Sequence, residues 1–274
     1  MRIFFALIFF SIACSCFANL DQDQAKNQVN CSYREHHNRF TGVKLIACHI
    51  RKQKIEAEGF TISDEFDEDV EYLEISNNKK VKFLPENVTE SFPNLMEYEV
   101  RNCSIKSVHG KHLEGLFELE RLQLWFNEIE TIASDSFKDL EKLKVLRLSH
   151  NQIKHIDPAW FQTMTNLTRL IMNSNRIEIV DEKMFENSPN LQQVWLFWNN
   201  LTTIPENLFK NNLELEKILL DCNQIETISL TAFDHLTKLQ EVDLKHNVCI
   251  NQHYKAFGDH EISEMKKDLS STKC

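Results

Sequence analysis

Residues 143–156 read Leu-Lys-Val-Leu-Arg-Leu-Ser-His-Asn-Gln-Ile-Lys-His-Ile, with leucines at 143, 146 and 148, an asparagine at 151 and isoleucines at 153 and 156. The same phrase surrounds Asn127, Asn175, Asn199 and Asn223, so five copies run at a spacing of 24 residues without a slip. Looser copies flank them, with Val70, Leu73, Ile75 and Asn78 before and Leu239, Val242, Leu244 and Asn247 after. One more, Leu95, Tyr98, Val100, Ile105 and Val108, carries Cys103 where the others carry Asn. A fixed period of this length marks a stack of like units and decides the fold before any single residue does.

Within each unit the x-Leu-x-Leu-x alternation predicts a short strand, with the leucines inside and the x residues outside. One unit cannot bury its apolar face alone, and stacking eight of them makes one continuous core. The recurring Asn leaves the strand at a sharp turn. Its amide can bond neighbouring backbone groups that would otherwise cost roughly 1–3 kcal/mol each if buried unpaired. Cys103 fits the same tight place. Phenylalanines recur at 137, 161, 185, 209 and 233, with Leu113 one unit earlier, and predict a second stacked row in the return segments.

The pattern resembles the leucine-rich repeat. That resemblance implies an α/β-class, right-handed leucine-rich-repeat solenoid (a horseshoe) with a parallel, concave β-sheet over residues 70–248. Eight strands at about 4.8 Å make a sheet roughly 38 Å long. The short return segments are expected to form 3-10 turns or extended pieces rather than full helices.

The ends differ from the repeats. Residues 1–18 hold an early Arg2, an apolar run and small residues up to Ala18, which predicts a secretory signal peptide. Later stretches never reach the apolar length of a membrane span, so no membrane insertion is expected. Residues 19–69 are expected to cap the first repeat, with Val43, Leu45 and Ala47 alternating along an edge strand. Residues 249–274 are expected to cap the last, through a helix over 261–269 that places Ile262, Met265 and Leu269 on one face. The acidic run at 64–71 reads as a solvated face.

Cysteines are expected to tie both caps down. Leaving out Cys14 and Cys16 of the leader, Cys31 and Cys48 flank a stretch before the repeats, and Cys249 and Cys274 flank the segment after them. These are the expected cap disulfides, in an oxidising compartment. Cys222 is left as a free thiol, or pairs with Cys249 and frees Cys274 for another chain. Sequons stand at Asn30, Asn87, Asn102, Asn166 and Asn200; Asn87, Asn166 and Asn200 are expected to be the most accessible glycosylation sites.

Function should lie in the outward x positions, which form columns across the strands. Between the second and third leucines stand Glu74, Glu99, Gln123, Arg147, Ile171, Trp195, Leu219 and Asp243. After the third leucine stand Ser76, Arg101, Trp125, Ser149, Asn173, Phe197, Asp221 and Lys245. Directly before the ladder residue stand Asn77, Asn102, Phe126, His150, Ser174, Trp198, Cys222 and His246. Trp195, Phe197 and Trp198 fall in one unit with Ile171 and Leu219 beside them, and Trp125 with Phe126 forms a second spot. Each aromatic buries roughly 150–250 Å² when covered, so this is a candidate contact patch. Arg121, Arg169 and Lys217 alternate along a third column and suggest a ligand with apolar and acidic parts.

Catalytic patterns are missing from the sequence. Five glycines leave no phosphate-cradling loop, and there is no His-Glu-x-x-His or paired Cys-x-x-Cys. An enzyme is therefore not expected, nor a cofactor or metal. His36, His37 and His150 read as surface residues. The net charge of −10 makes nucleic acid a poor partner.

Together these features resemble secreted extracellular leucine-rich-repeat proteins, with short caps like those of insect members such as the mosquito leucine-rich immune proteins. The resemblance implies recognition of an extracellular protein or glycoprotein ligand on the concave face, in innate immunity or extracellular signalling. The alternative is a structural or assembly component of the extracellular matrix or of a disulfide-linked complex, joined to its partner through Cys222 or Cys274.

Overall fold

The computed structural model describes residues 28–29, 32–37, 44–50, 61–62, 69–229, 231–255 and 267. The leader, Asn30, Cys31, Cys274, most of the acidic run and the 261–269 segment apart from helical Lys267 lie outside the described residues.

One 11-stranded sheet organises the rest. From Lys44–Ile50 through Val70–Ser76, Glu97–Arg101, Arg121–Gln123, Val145–Arg147, Arg169–Ile171, Gln193–Trp195, Lys217–Leu219 to Glu241–Asp243, each strand pairs in parallel with the next. The register follows the sequence period: Leu146 stands beside Leu122 on one side and Leu170 on the other. Both ends close with antiparallel strands, Ser32–His37 against Lys44–Ile50 and His253–Lys255 against Glu241–Asp243. The edge strand expected at 43–47 appears as Lys44–Ile50, but it is not the edge: it pairs with Val70–Ser76 on one side and with Ser32–His37, the outermost strand, on the other. The strand His253–Lys255, which buries Tyr254 over the last repeat, has no signature in the repeat pattern.

The leucine positions are buried throughout, as the alternation demands. Phe137, Phe161, Phe185, Phe209 and Phe233 are buried in one row, and neighbours meet at ring centroids 5.4, 6.0 and 6.1 Å apart for the 161–185, 185–209 and 209–233 pairs. Leu113 takes the place before them, also buried. The return segments are short: 3-10 turns at Gly110–His112 and Pro158–Phe161, and two-residue strands such as Thr203–Ile204 beside Thr227–Ile228.

The asparagine ladder takes the form the sequence requires. Asn175 Nδ2 donates to Leu148 O at 2.9 Å and Met172 O at 3.0 Å, while its Oδ1 accepts from Ile153 N at 3.1 Å. Asn151, Asn199, Asn223 and Asn247 repeat this three-way bridge. Cys103 stands in the ladder too, buried, with its Sγ 3.5 Å from Arg101 O. An oxygen is not needed there. The amide that would require it, Val81 N, bonds Asn78 O at 3.0 Å within its own coil.

Every residue directly before a ladder position adopts left-handed backbone. Asn77, Asn102, Phe126, His150, Ser174, Trp198, Cys222 and His246 have φ between 51° and 57°. The turn is fixed by the next coil: Phe126 N donates to Ser149 O and Trp198 N to Asp221 O, at 3.1 and 3.0 Å. For an L-residue this conformation costs roughly 1–2 kcal/mol, and asparagine bears it best. Phe126 and Trp198 are the least suited occupants.

Candidate ligand-binding face

The outward residues of the sheet divide into two chemically distinct halves. The N-terminal half is a network of carboxylates and cations. Glu74 lies 2.9 Å from Arg101 Nη2 and 2.5 Å from His49 Nδ1, and accepts from Ser76 Oγ at 2.6 Å. Glu99 takes three donors: Arg101 Nε at 2.7 Å, Tyr72 Oη at 2.6 Å and Trp125 Nε1 at 3.0 Å. Burial, reinforced by Glu99, drives the Tyr72 hydroxyl far above its ordinary range, so it stays a donor. Glu97 holds Arg121 Nη1 at 3.0 Å, and both are buried.

Those contacts correct part of the sequence reading. Arg121 and Lys217 do not present bare charge to a ligand: Arg121 is committed to Glu97, and Lys217 Nζ lies 2.5 Å from Glu241 Oε2. Arg169, half-buried in the same column, has its guanidinium pKa lowered by burial and by Arg121. Each pairing joins residues 24 apart, so opposite charges on adjacent rows of the repeat were the overlooked signal. Trp125 is half-buried, with its N–H given to Glu99 and Arg147 Cζ 4.1 Å from its ring centroid. It belongs to the network. Phe126, 44% exposed, lies tilted against Trp125 at 5.1 Å and stacks on His150 at 4.0 Å. His150 therefore has a fixed partner, which the sequence did not suggest.

The C-terminal half is aromatic. Trp195 and Phe197 are both half-buried, with ring centroids 6.4 Å apart. Trp198 is 62% exposed. The Trp195 indole N–H is buried and has no acceptor among the described residues. Ile171 and Leu219 flank Trp195 in the same lateral row. Ile171 is only 8% exposed, so it forms the floor of the patch rather than a projecting contact. Lys217 Nζ sits 5.9 Å from the Trp195 ring centroid. At the far edge Glu241 also takes His253 Nε2 at 3.0 Å, and His253 Nδ1 lies 3.1 Å from Asp243, which binds the closing strand to the last repeat. The sequence thus brought Trp195, Phe197, Trp198, Ile171 and Leu219 together correctly, and left Phe126 about three strands away.

Stacked parallel strands, an Asn ladder and a Phe row are the repeat's structural signature, and the Leucine rich repeat family profile matches residues 93–153, 117–177, 141–201 and 189–248. The chain belongs to the leucine-rich repeat family. Two solved leucine-rich-repeat structures show how far the likeness extends. A structure of the TLR13-ssRNA13 complex is 21% identical, with a TM-score of 0.61, covering 71% of this chain and 30% of that one. The Drosophila Toll–Spatzle complex, in its glycosylated form, is 21% identical with a TM-score of 0.60, covering 73% of this chain and 27% of that one. The chain spans less than a third of the length of either, and the likeness is one of fold. No curated protein matches the chain in sequence.

Among the sequons, Asn87, Asn102 and Asn166 are exposed while Asn200 is half-buried, reversing the expected order of Asn102 and Asn200. Asn102 is exposed because the left-handed turn turns it outward beside Asn77, which accepts from its Nδ2 at 2.9 Å. Cys249 is disulfide-bonded. Cys222 is free, so a Cys222–Cys249 pair is excluded. Burial and the neighbouring Asp221 push the Cys222 thiol up. Among the described residues no cluster suits a metal ion, and no helix is long and apolar enough to cross a membrane.

Proposed function

We infer that this leucine-rich-repeat chain is a secreted, non-enzymatic binding module that takes an extracellular protein or glycoprotein ligand on its concave face, centred on Trp195, Phe197 and Trp198. The observation that carries this reading is Trp198. A large apolar ring stands 62% exposed on left-handed backbone that an asparagine would occupy at lower cost. Strain retained at an exposed aromatic favours a contact role over a packing one. The orphaned Trp195 N–H supports it, because a ligand oxygen would satisfy a donor that now costs roughly 1–3 kcal/mol. The net charge of −10 favours a protein over a nucleic acid. An immune-type role agrees with the Toll and TLR13 folds and with the insect resemblance. On this reading residues 1–18 direct secretion, residues 19–69 and 249–274 close the ends through Cys31–Cys48 and Cys249–Cys274, and the exposed sequons carry glycans.

Affinity capture from the source animal's extracellular fluid tests the proposal. The bait is the chain from residue 19 onward, beside its Trp195/Phe197/Trp198→Ser variant. A partner held by the native chain and lost by the variant supports the concave site; a partner held by both removes it. The alternative, a disulfide-linked assembly through Cys222 or Cys274, predicts a reducible higher-mass band on non-reducing electrophoresis.

A further inference from the structure

Among the outward cations of the N-terminal half, Arg147 stands apart. Arg101 and Arg121 each have a carboxylate, at 2.7 and 3.0 Å. Among the described residues Arg147 has none within 4 Å: its Nε bonds Ser149 Oγ at 3.1 Å, and its two terminal nitrogens make no hydrogen bond. The nearest candidate is already used, because Glu99 accepts from Arg101, Tyr72 and Trp125 together. The Arg147 guanidinium nonetheless rests against the Trp125 ring at 4.1 Å and is half-buried. Its terminal nitrogens remain open to solvent, since neither is among the buried polar atoms left without a partner. Burial lowers its pKa, with Glu99 only partly offsetting that. A fork of donors held over an aromatic ring, partly desolvated and with no ion-pair partner among the described residues, is built to receive a carboxylate in two parallel hydrogen bonds.

Its neighbours define what else the ligand carries. Arg147, Ile171, Trp195 and Leu219 are lateral partners in consecutive strands. A cation thus borders an apolar floor, with Trp195 two strands, or roughly 10 Å, away. An extended peptide covers that distance in about three residues. We propose that Arg147 is the specificity residue of the concave face and binds an acidic side chain of a protein ligand, set about three residues from an apolar side chain that seats on Trp195. This deepens the binding reading above and rests on it.

The probe is a set of fluorescein-labelled peptides carrying one Phe and one Glu separated by zero to five Gly/Ser residues, with a Gln counterpart for each. Fluorescence anisotropy reads their binding to the full chain. The native chain should prefer Glu over Gln by about tenfold at a separation of two or three residues, the margin expected of a charge-assisted pair. Arg147→Gln should erase that preference while leaving the Gln peptides unchanged, and Arg147→Lys should keep part of it. Trp195→Ser should weaken both peptides alike. A Glu preference that survives Arg147→Gln overturns the proposal and leaves the aromatic face standing. An Arg147-dependent preference untouched by Trp195→Ser removes the apolar half of the proposal and with it the aromatic face. No binding at any spacing overturns it as well. A single-stranded 12-mer of oligouridine is the second probe: tighter binding than any peptide, lost in Arg147→Gln, would reassign the site to phosphate.

Discussion

Asn175→Ala should destabilise the solenoid by an amount that the ladder geometry sets. The side chain is buried and makes three short bonds, to Leu148 O, Met172 O and Ile153 N, and a longer one to Asn173 O at 3.5 Å. The two carbonyls are not stranded by its loss. Leu148 O keeps Asn151 Nδ2 at 3.0 Å, and Met172 O keeps Asn199 Nδ2 at 3.1 Å. The Ile153 amide has no such reserve, so its desolvation carries the effect. An orphaned buried donor costs roughly 1–3 kcal/mol and each of the two lost but replaceable bonds about 0.5–1.5, so a total of about 2–6 kcal/mol is expected. Cys103→Ala is the internal control. It occupies the same ladder place, yet no backbone amide depends on its sulfur for an acceptor, because Val81 N bonds Asn78 O. Its cost should stay near 1 kcal/mol, the loss of a small buried group. Urea unfolding followed by far-ultraviolet circular dichroism measures both, provided the m-values agree. If Asn175→Ala costs no more than Cys103→Ala, the ladder bonds do not support the turn and the reasoning is wrong.

Further predictions follow from single contacts. Trp198→Asn should raise stability by about 0.5–1 kcal/mol, because Asn suits φ 55° and little buried area is lost, while ligand binding falls; a drop in melting temperature would place the ring in the core. Burial and then His109 lower the His112 pKa from 6.5 to about 4, with His112 Nδ1 accepting from His109 N at 3.0 Å. The unfolded chain takes up this proton first, so the stability it lends is complete above pH 6.5 and is lost as pH falls toward 4. That is about 3 kcal/mol in full, and His112→Gln should flatten the melting-temperature profile over that window. Cys222 should react with a maleimide more slowly than an unperturbed thiol at pH 8, since burial and Asp221 raise its pKa; equal rates would refute that environment. Gly115 has φ +75° and a built Cβ would meet Thr89 at 3.2 Å, so Gly115→Ala should lower stability by roughly 1–2 kcal/mol on thermal unfolding.

Period carried most of the fold into the sequence. A 24-residue repeat puts Leu146 beside Leu122 and Leu170 in space as surely as in alignment, so core, ladder and Phe row could be read without coordinates. The same logic reached the aromatic patch, because Trp195, Phe197 and Trp198 lie within four consecutive positions. It failed where one sign of charge was read alone. Arg121 looked like a bare cation until Glu97, one repeat earlier in the same column, took it; only the cations of that column had been read. Left-handed backbone before each ladder residue was hidden for another reason. Side chains as different as Asn77, Phe126 and Cys222 occupy it, since the donor to the next coil is the backbone itself. The closing strand His253–Lys255 is aperiodic and three residues long, too short for alternation to mark it.

The central claim is that Trp195, Phe197 and Trp198 serve a ligand and not the core. Its most direct test pairs thermal unfolding with partner binding for the Trp195/Phe197/Trp198→Ser variant, and for Trp198→Ser alone as the most exposed of the three. The account predicts that both variants unfold cooperatively, that Trp198→Ser melts at or above the native temperature, and that the captured partner is lost by the triple variant and weakened by the single one. Undiminished binding by both, or a collapse of cooperative unfolding in Trp198→Ser, would contradict it.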